Sequence, residues 1–209
     1  EVDVNRIEVA AGVENAAVLY PRFLGKPVAL ATPQEIAAAR PWVQAALAES
    51  AGRPIYLKTH IANGTDLGTP MINKSVSLGA VYVVRNPLDV ALSYARFADA
   101  TLDRTIERMG TSGYGFARSH FDGTERLREI MGSWSENVAS WTEPAHPAVL
   151  VLRYEDMIDK PYQSFSRMAR HLRIGATRQQ ILRAIEMTSF ARLQAAESAT
   201  GFKEKPASA

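Results

Sequence analysis

Two runs constrain what this chain can fold into more than any other feature: Ala80-Val81-Tyr82-Val83-Val84 and Ala148-Val149-Leu150-Val151-Leu152. Neither alternates apolar with polar residues, so each reads as a strand covered on both faces, the environment of a parallel sheet between helix layers. Each run stops at an arginine, Arg85 or Arg153, and a helix-forming stretch follows. Strands that alternate with helices in this way predict an α/β fold, a parallel sheet flanked by helices. In such folds ligands gather outside the carboxyl ends of the strands. The polar residues at strand ends are therefore the first place to look for chemistry.

Composition narrows the classes further. At 209 residues the chain suits a single domain spanning 1–209, and 46% hydrophobic residues exclude a disordered one. With no cysteine there is no disulfide scaffold, thiolate metal site or cysteine nucleophile, which fits a reducing cytoplasm. No apolar run approaches the roughly 18 residues of a membrane span, so no membrane association is expected. A formal charge of +2 is too balanced for a non-specific nucleic-acid coat, so nucleic acid is not an expected partner. The charge is nevertheless uneven, because residues 161–209 carry eight basic and three acidic side chains. A solvated helix face is the plainer account of that excess, and a surface facing phosphates is the sharper one.

Local signals place the elements. Thr32-Pro33-Gln34-Glu35 is a capping-box helix start, and the alanine-rich run after it continues to Ser50 with a kink or division expected at Pro41. Ile55-Tyr56-Leu57 reads as a short buried strand that ends at Lys58-Thr59-His60, and Ala62–Pro70 as a loop. Asn86-Pro87, with Asp89 at the third position, starts a helix through about Phe97. A helix and then a mobile loop are expected over 100–122. Leu127, Ile130, Met131, Trp134 and Val138, spaced by about three to four residues, predict a helix from about Thr124 to Trp141. Two more helices are expected at 161–172 and 178–187, the second capped by Thr177.

Four polar segments follow from this placement. A histidine at a strand end, His60, is suited to general base work, and Lys58 shares its strand face by the period of two. A surface lysine and a structurally bonded histidine are the plainer reading of the same letters. Arg85 leaves a strand and Ser93 lies two turns into the next helix, a pairing that suits a phosphate. The structural alternative for Arg85 is a buried ion pair with Asp89 or Glu155. Tyr154, after the later strand, and Thr188, in Thr188-Ser189-Phe190, complete the set. No metal is called for, because His60, His120, His146 and His171 have no ligand spacing.

In this order the four segments resemble the PAPS-dependent sulfotransferase family, from about Ile55 to Pro206. That resemblance implies a P-loop-NTPase-like sulfotransferase fold and in-line transfer of a sulfuryl group from PAPS to a hydroxyl or amine. It implies that His60 takes the acceptor's proton and that Lys58 offsets charge on the sulfuryl group and leaving phosphate. Arg85 and Ser93 would bind the 3′-phosphate, with Tyr154 and Thr188 bordering the adenine. The acceptor would be a small molecule or a glycan-like group, and Tyr94, Phe97, Tyr114, Phe116 and Phe121 are candidates to line its pocket. The loops 62–70 and 110–123 are expected to gate that pocket.

The family's Lys-Ser-Gly-Thr-Thr-Trp-like phosphosulfate loop has no counterpart in residues 1–54. Gly201–Pro206 resembles only the approach to its Arg-Lys-Gly segment, so a core trimmed at both ends is expected, without full activity of its own. Two other classes remain open: a catalytically degenerate relative that binds an adenine nucleotide, and a P-loop kinase relative. The second lacks the Gly-x-x-x-x-Gly-Lys-Ser/Thr motif it requires.

Overall fold

The computed structural model describes residues 10–11, 15–116, 127–143 and 145–201. In chain order its elements are strand β1 (Ala10–Ala11), helices α1 (Pro21–Leu24) and α2 (Pro33–Ala51), then strands β2 (Leu57–Lys58), β3 (Thr65–Asp66), β4 (Thr69–Pro70) and β5 (Ala80–Val84). Helices α3 (Pro87–Phe97) and α4 (Leu102–Gly110) follow, then strands β6 (Gly115–Phe116) and β7 (Glu129–Ile130), helix α5 (Trp134–Thr142) and strand β8 (Val149–Arg153). Four helices close the chain: α6 (Tyr154–Asp159), α7 (Pro161–His171), α8 (Arg178–Met187) and α9 (Phe190–Thr200). They form two compact units. One gathers residues 79–105 and 146–201, and the other gathers 10–78 and 106–145.

The first unit is built on a parallel pair. Strand β5 lies beside β8 in a register that runs from Ala80 opposite Val149 to Val84 opposite Arg153. The two apolar runs thus pair with each other, though they are not covered throughout: Leu152 is buried while Val83 is 43% exposed. Gly79 lets the pair begin, since a Cβ there would meet the Ala148 carbonyl oxygen at 2.6 Å. The Ala80 amide donates to that same oxygen at 2.8 Å. The imidazole Nε2 of His171 lies 3.0 Å from the Ala80 carbonyl, which ties the end of α7 to the start of β5. Helix α3 begins as expected, with Asn86 Oδ1 accepting the Leu88 amide and Pro87 in the first turn. It buries Ala91 and Ala95, one turn apart. Thr177 caps α8 in a full capping box with Gln180.

The second unit holds two apolar clusters. Tyr20, Val43, Ala17, Ala39 and Leu127 form one, and Ile61, Ala62 and Met71 form the other with Ile72 and Ile130 against them. Helix α2 opens with the Thr32–Glu35 capping box. It then runs undivided through Pro41, whose carbonyl accepts a hydrogen bond from Asn73 Nδ2 at 2.8 Å. The division expected at that proline does not occur.

Three further expectations need correction. The strand read at Ile55–Leu57 is instead β2 at Leu57–Lys58, pairing in parallel with β1 over two residues. With so short a partner, Ile55, Tyr56 and Leu57 remain 38%, 58% and 37% exposed and are not buried. Within Ala62–Pro70 the chain makes a hairpin, β3 against β4, turned by Leu67 and Gly68 at φ of 49° and 83°. Two consecutive residues of positive φ are what a two-residue hairpin turn demands. The third correction is the helix expected over Thr124–Trp141. Residues 117–126 lie outside the described residues, and Glu129–Ile130 is the strand β7, antiparallel to β6. Leu127 and Glu129 are buried while Arg128 between them is exposed, the alternation of a strand. Gly132, at φ 71°, turns the chain, and Ser133 with Glu136 restarts it as α5 through a second capping box. Among the described residues no helix is long and apolar enough to cross a membrane.

Candidate functional site

The parallel register explains the grouping at the strand ends. Because Val84 faces Arg153, the next residues, Arg85 and Tyr154, leave neighbouring strands side by side although 69 positions separate them. The Arg85 guanidinium lies over the Tyr154 ring, 4.6 Å from its centroid, a cation–π contact. Glu155, one residue further, accepts the Asn86 amide at 2.8 Å. That bond is the main cause holding its carboxyl below the usual range, with Arg153 and Arg85 adding smaller attractions. The ion-pair alternative for Arg85 is therefore not what forms: among the described residues its partner is an aromatic face, and its buried Nε has no hydrogen-bond acceptor.

Arg85 opens onto a pocket of about 260 Å³ lined with Val90, Ser93, Tyr94 and Phe97 from helix α3. The lining is one helical face, at spacings of three and four. A desolvated guanidinium nitrogen without a partner, beside a free-standing hydroxyl position on the same wall, suits an oxyanion. Phosphate fits this donor set. Tyr94 and Phe97, two of the aromatic residues considered for an acceptor, share this pocket. Thr188 does not line it: the residue caps the end of α8 and its hydroxyl donates to the Ala184 carbonyl at 2.8 Å.

Lys58 and His60 belong to the other unit. Both side chains are exposed at the end of β2, while the two residues after them, Ile61 and Ala62, are buried at 3% and 8% exposure. Thr59 Oγ1 accepts the Ile61 amide at 3.3 Å, which turns the chain inward there. Of the other aromatic residues considered for an acceptor, Tyr114 lies in this second unit, where its carbonyl accepts the amides of Met131 and Gly132. Phe121 lies outside the described residues, and nothing is assigned to the Phe116 side chain.

The sequence reading overlooked the residues of α5 that hold this strand end: Asn137, Ser140 and Trp141, which reach the backbone of residues 60–63. Their signal was present as polar positions spaced by three and four after a Ser-x-x-Glu start. The misplaced helix boundary concealed it. Among the described residues no group of three or more His, Asp or Glu side chains is placed to hold a metal ion.

The comparisons with known proteins bear on family and fold. A family model described as a sulfotransferase domain matches residues 22–205. A curated dog protein, sulfotransferase 1B1, is 29% identical over 120 residues, 53% of this chain and 35% of its own. A bovine sulfotransferase 1A1 is 28% identical over 147 residues, 66% of this chain and 43% of its own. The chain thus spans less than half the length of these relatives. Among solved structures, mouse sulfotransferase SULT7A1 complexed with PAP superimposes with a TM-score of 0.50 at 23% identity, over 69% of this chain and 50% of the other. A retinol dehydratase in complex with androsterone and the inactive cofactor PAP gives 0.51 at 22% identity, over 72% of this chain and 42% of the other. At those identities the likeness is one of fold.

Proposed function

The chain belongs to the sulfotransferase family, and on that premise we propose that it transfers a sulfuryl group from PAPS, in line, to the hydroxyl or amine of a small-molecule or glycan-like acceptor. The observation that carries this reading is the pocket where Arg85, stacked on Tyr154 and with an unpartnered Nε, meets Ser93. It suits a phosphate, and a 3′-phosphate gives a nucleotide that kind of anchor. PAP in both solved neighbours supports the same donor. PAPS, when bound, supplies the activated sulfuryl group.

The chain's own residues do the rest. Arg85 and Ser93 hold the 3′-phosphate, and Tyr154 lies against the guanidinium beside the adenosine. Neutral His60 accepts the proton of the acceptor hydroxyl or amine as its oxygen or nitrogen bonds to sulfur. Lys58, two residues before it, balances negative charge that moves onto the leaving phosphate oxygen. Thr188 is the weakest member of the set, since its hydroxyl is committed to Ala184. Zero cysteines suit work in the cytoplasm, where thiol chemistry adds nothing to this reaction.

The experiment is transfer of ³⁵S-labelled sulfuryl from PAPS to a panel of phenols, alcohols, amines and glycans by the full-length protein. His60→Asn is expected to cut turnover about 10²–10⁴-fold, the worth of a general base, with PAP affinity nearly unchanged. Turnover near the wild-type rate would make His60 a structural residue. Tight PAP binding with no transfer to any acceptor would favour the catalytically degenerate relative.

A further inference from the structure

The backbone that follows His60 is held to an unusual degree. The His60 carbonyl accepts a hydrogen bond from Asn137 Nδ2 at 3.3 Å, and the Ile61 carbonyl accepts one from Trp141 Nε1 at 3.1 Å. The Ala62 amide donates to the Ile130 carbonyl at 2.9 Å, and the Asn63 amide donates to Ser140 Oγ at 3.0 Å. Four consecutive residues thus have a backbone group committed to one short stretch of chain, Ile130 together with helix α5. The helix supplies three of the four bonds from positions 137, 140 and 141, a single face by the spacing of three and four.

The holders are themselves held. Asn137 Nδ2 also donates to the Met131 carbonyl at 2.9 Å, and Ser140 Oγ donates back to the Asn137 carbonyl at 2.7 Å. The start of α5 is pinned by Glu136, which accepts the amides of Ser133 and Gly113 and the Ser112 hydroxyl. Ile61 and Ala62 are buried against Met71 and Ile130 beneath these bonds. The exposed side chain of His60 therefore stands on the first of four consecutive residues whose backbone is tied to this stretch.

We infer that Asn137 and Trp141 are positioning residues for His60, fixing through its carbonyl and that of Ile61 the direction in which the imidazole leaves the strand. The Ile61 carbonyl belongs to a buried residue and needs a partner in any case, but His60 is exposed, where water would satisfy its carbonyl, and Asn137 is drawn from 77 positions away to hold it instead. A base must sit within about half an ångström of its place to work, and a misplacement of 1 Å can cost about 10²-fold. The inference rests on the reading of His60 as the base.

The test uses Trp141→Phe, which keeps an aromatic ring but removes the indole N–H donor with the pyrrole half of the ring, and Asn137→Ala, each alone and combined with His60→Asn. Turnover is measured in the full-length protein with labelled PAPS and 2-naphthol, and backbone amide exchange is followed at Ala62 and Asn63. Turnover is expected to fall about 10-fold for Trp141→Phe and up to about 100-fold for Asn137→Ala, with KM for 2-naphthol and PAP affinity changing less than about 3-fold. In the His60→Asn background neither change lowers turnover further, because both act through the missing imidazole. Exchange at Ala62 and Asn63 is expected to quicken about 10-fold or more in both variants. Losses that add to that of His60→Asn overturn the inference in favour of a general structural role. Unchanged turnover in both variants overturns it too, as does unchanged exchange at Ala62 and Asn63 whatever the turnover. A wild-type rate for His60→Asn alone refutes the base itself, a separate result read from the single variant.

Discussion

Replacing Arg85 by alanine offers the sharpest test of the pocket, because its magnitude follows from what surrounds the guanidinium. The Nε is buried and unpartnered in the free protein, so the cost of desolvating it has already been met by folding. A phosphate that reaches it gains a charge-assisted bond without that cost, which places the effect in the range of about 1.5–3 kcal/mol. Since about 1.4 kcal/mol is tenfold, the loss of PAP affinity is about 10–150-fold. The Tyr154 ring, 37% exposed and 4.6 Å from the guanidinium, contributes a cation–π contact. Arg85→Lys keeps the charge but gives up the fork and the stacking, and about a tenfold loss is expected of it. The assay is isothermal calorimetry with PAP and with adenosine 5′-phosphate, which lacks the 3′-group. Wild-type protein should prefer PAP by the same 10–150-fold, and Arg85→Ala should erase the preference while changing the affinity for adenosine 5′-phosphate by less than about 3-fold. Equal wild-type affinities for the two nucleotides would refute the assignment. So would a variant that weakens both alike, since the side chain would then be supporting the fold and not reading a phosphate.

Other outcomes follow from single contacts. Glu136 is held down to about 2 by the Ser112 hydroxyl first, then by the amides of Ser133 and Gly113. Its folded value lies below the ordinary 4.5, so its contribution is complete above about 4.5 and disappears as the pH falls through about 2. Acid unfolding compared with Glu136→Gln should show that difference shrinking over this window, and a constant difference would remove Glu136 from the network. Gly79→Ala should destabilise the β5–β8 pair by about 1–3 kcal/mol in urea titration, because its Cβ would meet the Ala148 carbonyl at 2.6 Å. The gate expected at residues 62–70 narrows to the hairpin tip, because Ala62 and Asn63 are tied down. Hydrogen exchange at Leu67 and Gly68 should outpace that of Val81–Val84, and equal protection would rule out a gate there.

What was legible in the sequence was local. The capping box at Thr32, the cap at Thr177 and the Asn86-Pro87 start each need only a few adjacent residues, and each stands where it was read. The two apolar runs were read as strands for the same reason. The failures share an opposite cause. Leu127, Ile130, Met131, Trp134 and Val138 do recur at helical spacing, yet the pattern spans a strand, a turn and a helix. Gly132 supplies a positive φ that the apolar count ignores, and the Ser133–Glu136 box was hidden inside the supposed helix. Ile55–Leu57 has a strand's composition, but exposure depends on what lies beside it, and β1 supplies only two partners.

The site divides along the same line. Arg85, Ser93, Lys58 and His60 could be proposed from the sequence because each pair lies at a strand end or on the helix that follows it. The link between Arg85 and Tyr154 could not be found that way, since it depends on β5 and β8 being neighbours in one register. Once that register is given, the rest is forced: two parallel strands that stop level must deliver their next residues side by side. The same logic explains why the anchors of His60 were invisible. Asn137 and Trp141 act on carbonyls, and a carbonyl has no letter in a sequence. A base can be read from its own residue type, but what aims it is recorded in backbone geometry that only packing reveals. On the proposed reading a nucleotide binder needs only the Arg85 pocket, whereas a transferase also needs a held His60, so the Asn137 and Trp141 variants discriminate between the two.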